Sequence, residues 1–277
     1  VWVAKGTYTE LITLGRRVGL FGGFAGTETA RDQRNWLANL TVLDGNNAGT
    51  VVTAPQGAFA TTALDGFTVK RGKGVAGTGN NGGGMYCTVA SVSTANDIFD
   101  SNTATSGGAI FFDYSPSVLA NNILRNNSVT SQGGAIYASN APPTIGTAQF
   151  NNNGAVSGGG LFLNGSDAAV STCSFSGNHV SQNGGGLYLQ SSSASIGSCA
   201  FSGNTASSGG GGLYVSSIAA SITGNAITGN GATNGGGLYL YSTSGIASNN
   251  TIVGNTANSA SGYGGGIYSY SASTILD

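Results

Sequence analysis

Residues 173–204 read CSFSGNHVSQNGGGLYLQSSSASIGSCAFSGN, so the phrase that opens the stretch returns, almost unchanged, 26 residues later. Between the two copies stands GGGLY, Gly184–Tyr188. That second phrase, a glycine run followed by an aliphatic and an aromatic residue, occurs eight times in the 277 residues. Its aromatics are Tyr86, Phe111, Tyr137, Phe162, Tyr188, Tyr214, Tyr239 and Tyr268, separated by 25, 26, 25, 26, 26, 25 and 29 residues. A fixed period of this length is the mark of a stacked repeat.

The Phe-x-x-Asn phrase runs in phase with it. An apolar residue is followed three positions later by Asn102, Asn127, Asn153, Asn178, Asn204, Asn230 and Asn255. A weaker third mark falls at Val118, Ile145, Val170, Ile196, Ile222, Ile246 and Ile275. Three short apolar marks per period, separated by Gly, Ser, Asn and Thr, predict three short strands joined by turns. Helical repeats do not fit, because each glycine inside a helix costs about 1 kcal/mol relative to alanine. Propeller blades need about 40 residues per repeat. Leu187-Tyr188-Leu189 alternates in twos, which is strand periodicity. The expected fold is therefore all-β: a right-handed parallel β-helix of about ten coils. Equivalent residues stack about 4.8 Å apart. The recurring asparagines then form an internal ladder, each amide donating to and accepting from its neighbours.

Charge divides the chain. Residues 1–73 hold thirteen of the nineteen charged side chains. We read 1–73 as irregular coils with surface loops, including an excursion over 26–39, and 74–277 as the regular array of one continuous solenoid. Leu43-Asp44-Gly45 and Leu64-Asp65-Gly66, 21 residues apart, suggest that coiling starts before the clean repeat. A net charge of −1 with small basic clusters argues against a nucleic-acid surface. No apolar run reaches the roughly 18–20 residues of a membrane helix. The strand-like start at Val1-Trp2-Val3 suggests a mature product or fragment, and the uncapped final coil suggests that more protein or another copy covers it.

Catalytic machinery is hard to find. Polysaccharide cleavage by β-helices calls for paired carboxylates or a calcium site with a nearby base. The carboxylates available are Asp97, Asp100, Asp113 and Asp167, and these are expected to be turn and surface residues. The single histidine, His179, follows a ladder asparagine and has no evident Ser and Asp partners. The glycine runs lack the lysine and helix of a phosphate loop. No cofactor or metal site is expected. Cys173 and Cys199, 26 apart, occupy equivalent positions; either a strained disulfide or two free buried thiols would fit. Cys87 is expected to be a core thiol.

The aromatic column is the leading candidate for contact with other molecules. If the leucines flanking Tyr188 are buried, the tyrosine faces outward, and a contiguous aromatic stripe suggests a binding surface. Stacking for stability alone, or an inward orientation, are the alternatives.

GGAI at Gly107–Ile110 and Gly133–Ile136, alternating with Phe-x-x-Asn at Phe99, Phe150, Phe175 and Phe201, resembles the repeats of the polymorphic outer-membrane protein family. Val1–Tyr8, Leu20–Phe24 and Thr41–Gly45 are similar to the start of related secreted bacterial β-helix proteins. The resemblance implies a secreted or surface-displayed, extracellular solenoid with adhesive or structural duty and no catalytic residues. Its partners would be further copies of itself, or surface glycans or proteins. A polysaccharide-binding or polysaccharide-cleaving β-helix is the alternative.

Overall fold

The computed structural model describes residues 1–216 and 219–276. Its strands lie in stacked parallel sheets, two of ten strands and one of eleven, with a fourth sheet of seven. One coil shows the plan. Ser195–Gly197, Ala200–Ser202 and Leu213–Ser216 form the three main sides. The two-residue Thr205–Ala206 belongs to the fourth sheet. Helix is limited to two 3-10 turns of three residues each among the described residues. The predicted three strands per coil are all present. The fourth carries too few apolar residues to be marked in the sequence.

Strand pairing joins equivalent residues of successive coils, as in Phe150 to Phe175 to Phe201 and Leu187 to Leu213 to Leu238. The phenylalanines stack inside the core with centroids 4.4 and 4.6 Å apart and nearly parallel rings. Such stacking adds about 0.5–1.5 kcal/mol per pair beyond the burial of the rings.

Two corners set this register. One precedes the Asn102–Asn255 ladder: Ser101, Asn126, Asn152, Gly177, Gly203, Gly229 and Gly254 all take the left-handed conformation. The residue after each therefore turns inward. The Asn178 side chain shows what it does there. Its Oδ1 accepts the Asn153 backbone N–H (3.0 Å) and Asn153 Nδ2 (2.9 Å). Its Nδ2 donates to Phe150 O and to Asn204 Oδ1, both at 2.9 Å. Every polar valence of a fully buried amide is used.

The glycine runs solve a spacing problem on the third side. Gly184 is left-handed (φ 68°), and a Cβ there would lie 2.6 Å from Leu187 O. A Cβ on Gly185 would lie 2.4 Å from Gly211 O of the next coil. The backbone passes too close to itself for any side chain.

Two sequence expectations shift. Val118 and Ile246 were expected inside, but both are exposed, and Leu119 and Ala247 fill the core positions in register with Ile145, Val170, Ile196 and Ile222. A one-residue slip exchanges the two faces of a strand. The Leu-Asp-Gly pair is not a repeat: Leu43 pairs with Val69, whereas Leu64 pairs with Leu20 and Thr94 on another side. Predicted strands around Ile12, Leu20, Thr41, Val52 and Phe67 are present.

Replacing Asn178 by alanine strands the Asn153 N–H and Phe150 O in the core and is expected to cost about 3 kcal/mol, read as a lowered denaturant midpoint. Val89 is the opposite case. It is an exposed β-branched residue held at φ 49°. Val89→Gly is expected to raise stability by about 1 kcal/mol in the same measurement.

Candidate functional site

Tyr188 lies between Leu187 and Leu189, both fully buried, and its ring is on the other face of the strand. The eight aromatics thus run along the outside of the solenoid. Tyr86, Phe111, Tyr137 and Phe162 stack with centroids 5.3–5.4 Å apart. Beyond them the packing changes: Phe162 meets Tyr188 edge-on at 4.7 Å, as Tyr188 does Tyr214. Tyr239 then meets Tyr268 at 4.9 Å.

The column is not uniformly available. Phe162 is fully buried and Phe111 nearly so, because neighbouring rings close over them. The bare glycines give the rings room. A Cβ on Gly209 would fall 2.7 Å from the Tyr239 ring and 3.2 Å from that of Tyr214. The middle of the stripe therefore serves packing, and the outward-and-available expectation fails at Phe111 and Phe162.

Open aromatic surface lies instead toward the last coils, at positions that the period alone does not mark. Tyr241 pairs with Tyr270 in register, and their rings stack at 5.6 Å and 4°. Tyr263 stacks on Tyr268 at 5.9 Å. Tyr241, Tyr263 and Tyr270 are 39%, 63% and 51% exposed. The available signal was the doubled alternation Tyr239-Leu240-Tyr241 and Tyr268-Ser269-Tyr270. With Tyr239 and Tyr268 these residues form a platform two rings wide. Burial raises the phenol pKa of Tyr239, as it does that of Tyr214, so the hydroxyls are neutral donors and acceptors. From residue 126 to 276 the only Asp, Glu, Lys or Arg is Asp167.

The remaining candidates are engaged separately. Asp100 holds Arg125 Nη2 at 2.9 Å and Asn126 Nδ2 at 2.9 Å. Asp167 accepts the Ser193 N–H. Asp113 has its pKa raised by partial burial. His179 is exposed, on the fourth sheet. No cluster of three or more His, Cys, Asp or Glu residues placed to hold a metal occurs among the described residues. The N-terminal cations are also paired: Arg34 with Asp65 at 2.6 Å, and Arg71 with buried Asp44 through both carboxylate oxygens.

Asp97 departs from the expectation of a surface carboxylate: it is fully buried. It begins a second corner column, continued by Asn122, Ala148, Cys173, Cys199, Asn225 and Asn250. Left-handed residues precede this column too, from Asn96 to Asn249. Asp97 Oδ1 accepts the Phe67 N–H at 2.8 Å, while Oδ2 has no partner. Burial pushes this carboxyl well above the usual range, so it stands in the column as a neutral acid in place of an amide.

Residues 123–277, more than half of the chain, match the family described as right handed beta helix region. The chain belongs to that family. No curated protein and no solved structure matches it. Family membership fixes the hand of the coil. The β-helix family thus accounts for the scaffold, and the site has to be argued from this chain's own side chains.

Unfolded, Asp97 titrates near pH 3.9. Above that pH, the folded β-helix keeps a proton that the unfolded chain has released. Its contribution to stability therefore falls as pH rises toward the higher folded pKa. Asp97→Asn is expected to remove that slope and to be more stable than the parent at pH 7 by about 1 kcal/mol or more. Denaturant midpoints at pH 4.5 and 7.5 read both effects; an unchanged slope would contradict the assignment.

Proposed function

We propose that this β-helix is a non-catalytic, secreted or cell-surface adhesive solenoid that holds neutral glycans on the tyrosine platform of its last coils. The observation that carries the reading is the pairing of Tyr241 with Tyr270, flanked by Tyr263, on a surface nearly free of charge. Aromatic faces cover the apolar faces of sugar rings, and phenol hydroxyls at their rims exchange hydrogen bonds with sugar hydroxyls. The flat, stacked geometry suits an extended chain lying across several coils.

Charge selects the ligand class. Acidic polysaccharides and nucleic acids are held by lysine and arginine, and the last 152 residues contain neither. A neutral polymer loses nothing there. The resemblance of the GGAI and Phe-x-x-Asn phrases to polymorphic outer-membrane proteins supports display at a bacterial surface. Assembly into an extracellular fibre or surface layer would use the same exposed rings between copies.

Affinity electrophoresis of the whole chain in gels containing neutral or uronate polysaccharides tests the reading. Retardation is expected in a neutral polymer and not in polyuronate. Tyr241→Ser, Tyr263→Ser and Tyr270→Ser are each expected to weaken it about tenfold, in keeping with roughly 1–2 kcal/mol for an aromatic contact residue. Tyr137→Ser, in the closed part of the column, should leave it unchanged. Equal retardation of the triple variant, or chain cleavage of the polymer, would refute the proposal. Sedimentation at several concentrations separates glycan holding from self-assembly.

A further inference from the structure

Cys173 and Cys199 interrupt the second corner column at adjacent coils and do part of an amide's work. Cys199 Sγ accepts the Cys173 N–H at 3.4 Å, just as Asn225 Oδ1 accepts the Cys199 N–H at 2.9 Å. The sulfurs reach the inner carbonyls less closely. Cys173 Sγ lies 3.7 Å from Ile145 O and Cys199 Sγ 3.8 Å from Val170 O, whereas Asn225 Nδ2 is 3.0 Å from Ile196 O. Both thiols are free, and both are also within 3.2 Å of the carbonyl two residues back. Of the two expected alternatives the structure holds free thiols, because stacked side chains point the same way and each sulfur is occupied by its own corner.

The pair is nevertheless placed for bonding. Ser171 lies opposite Gly197 before it, and Ser174 opposite Ala200 after it. Coil spacing of about 4.8 Å falls within the Cα separation of disulfides. Ala148, next in the column, has no polar group to compete for Cys173. A surface groove of ≈ 380 Å³, lined by both cysteines with Thr147, Gln149, Thr172 and Ser198, gives a small reagent a way in. Cys87, by contrast, is sealed in the core.

We propose that Cys173 and Cys199 are a redox modification site, closing into a reversible disulfide between adjacent coils by exchange with a low-molecular-weight disulfide. The Cys199 thiolate attacks one sulfur of the reagent, whose other half leaves as a thiolate and takes up a proton. Cys173 then gives its proton to solvent and attacks Cys199 Sγ, expelling the second half of the reagent. Two protein thiols and one reagent disulfide become one protein disulfide and two reagent thiols. The order follows from the hydrogen bond between the thiols, which lowers the Cys199 pKa and raises that of Cys173. Parallel side chains hold the Cβ atoms at about the coil spacing, wider than the ~3.8 Å of relaxed disulfides, so the corners must draw together and the bond is readily reduced. Once closed, it locks one full coil in the middle of the array.

The whole chain, equilibrated with oxidised glutathione, acid-quenched, unfolded and alkylated, is expected to take up one alkyl group, at Cys87. After reduction it should take up three. Peptide mapping should join Cys173 to Cys199, and the oxidised form should melt about 5 °C higher. Cys173→Asn/Cys199→Asn extends the amide column and is expected to fold with a melting temperature indifferent to redox state. Three alkyl groups after oxidation, unresolved mixed disulfides, a bond to Cys87, or the same redox shift in the double variant would each overturn the proposal.

Discussion

Everything in this solenoid depends on the hydrogen bond that crosses from one corner to the next coil. A corner in the left-handed conformation turns the following residue inward and leaves its N–H facing the coil above, away from any strand partner. That N–H needs an acceptor at one fixed height. The buried Asn Oδ1 supplies it, and Nδ2 ties the same amide both to its neighbour and to the strand end of the coil below. Because each amide serves its neighbours, a coil cannot shift by one residue without breaking bonds on both sides. Hydrophobic burial drives the collapse, but it is nondirectional and would tolerate many alignments. The ladder selects one.

The two corner columns obey this constraint with different rigour. The Asn102–Asn255 column contains only asparagine. The Asp97–Asn250 column admits a protonated acid, an alanine and two thiols. All three polar types can accept an N–H from the preceding coil, and Ala148 cannot. The tolerant corner is thus where chemistry other than stacking can enter a scaffold otherwise closed to it. Neutral Asp97 and the Cys173–Cys199 pair are the two instances.

Much of this was legible in the sequence because the period is nearly constant. Twenty-five or twenty-six residues between equivalent positions identified the coil, the asparagine column and the inward leucines around Tyr188. Legibility failed where the text lost its contrast. Val118 and Leu119 are both apolar, as are Ile246 and Val118's other equivalents, so the choice of inward residue rested on spacing that was already irregular there. Thr205-Ala206 has no apolar pattern to mark a strand. Asp97 looked like a turn carboxylate because burial of an acid follows from its place after the left-handed Asn96, which the sequence alone does not display.

The same limit governs the aromatic surface. Periodicity located all eight rings but said nothing about how much of each remains open, since ring-on-ring packing is decided by side-chain rotation. Parallel stacking from Tyr86 to Phe162, followed by edge-on contact at Tyr188, closes the middle of the column. Exposure then concentrates where extra tyrosines fall outside the period, at Tyr241, Tyr263 and Tyr270. A repeat array gains stability from what its coils share and a binding surface from where they differ. In this chain the departures from the repeat, tyrosines at one end and thiols at one corner, are therefore the places where interaction and regulation are to be sought.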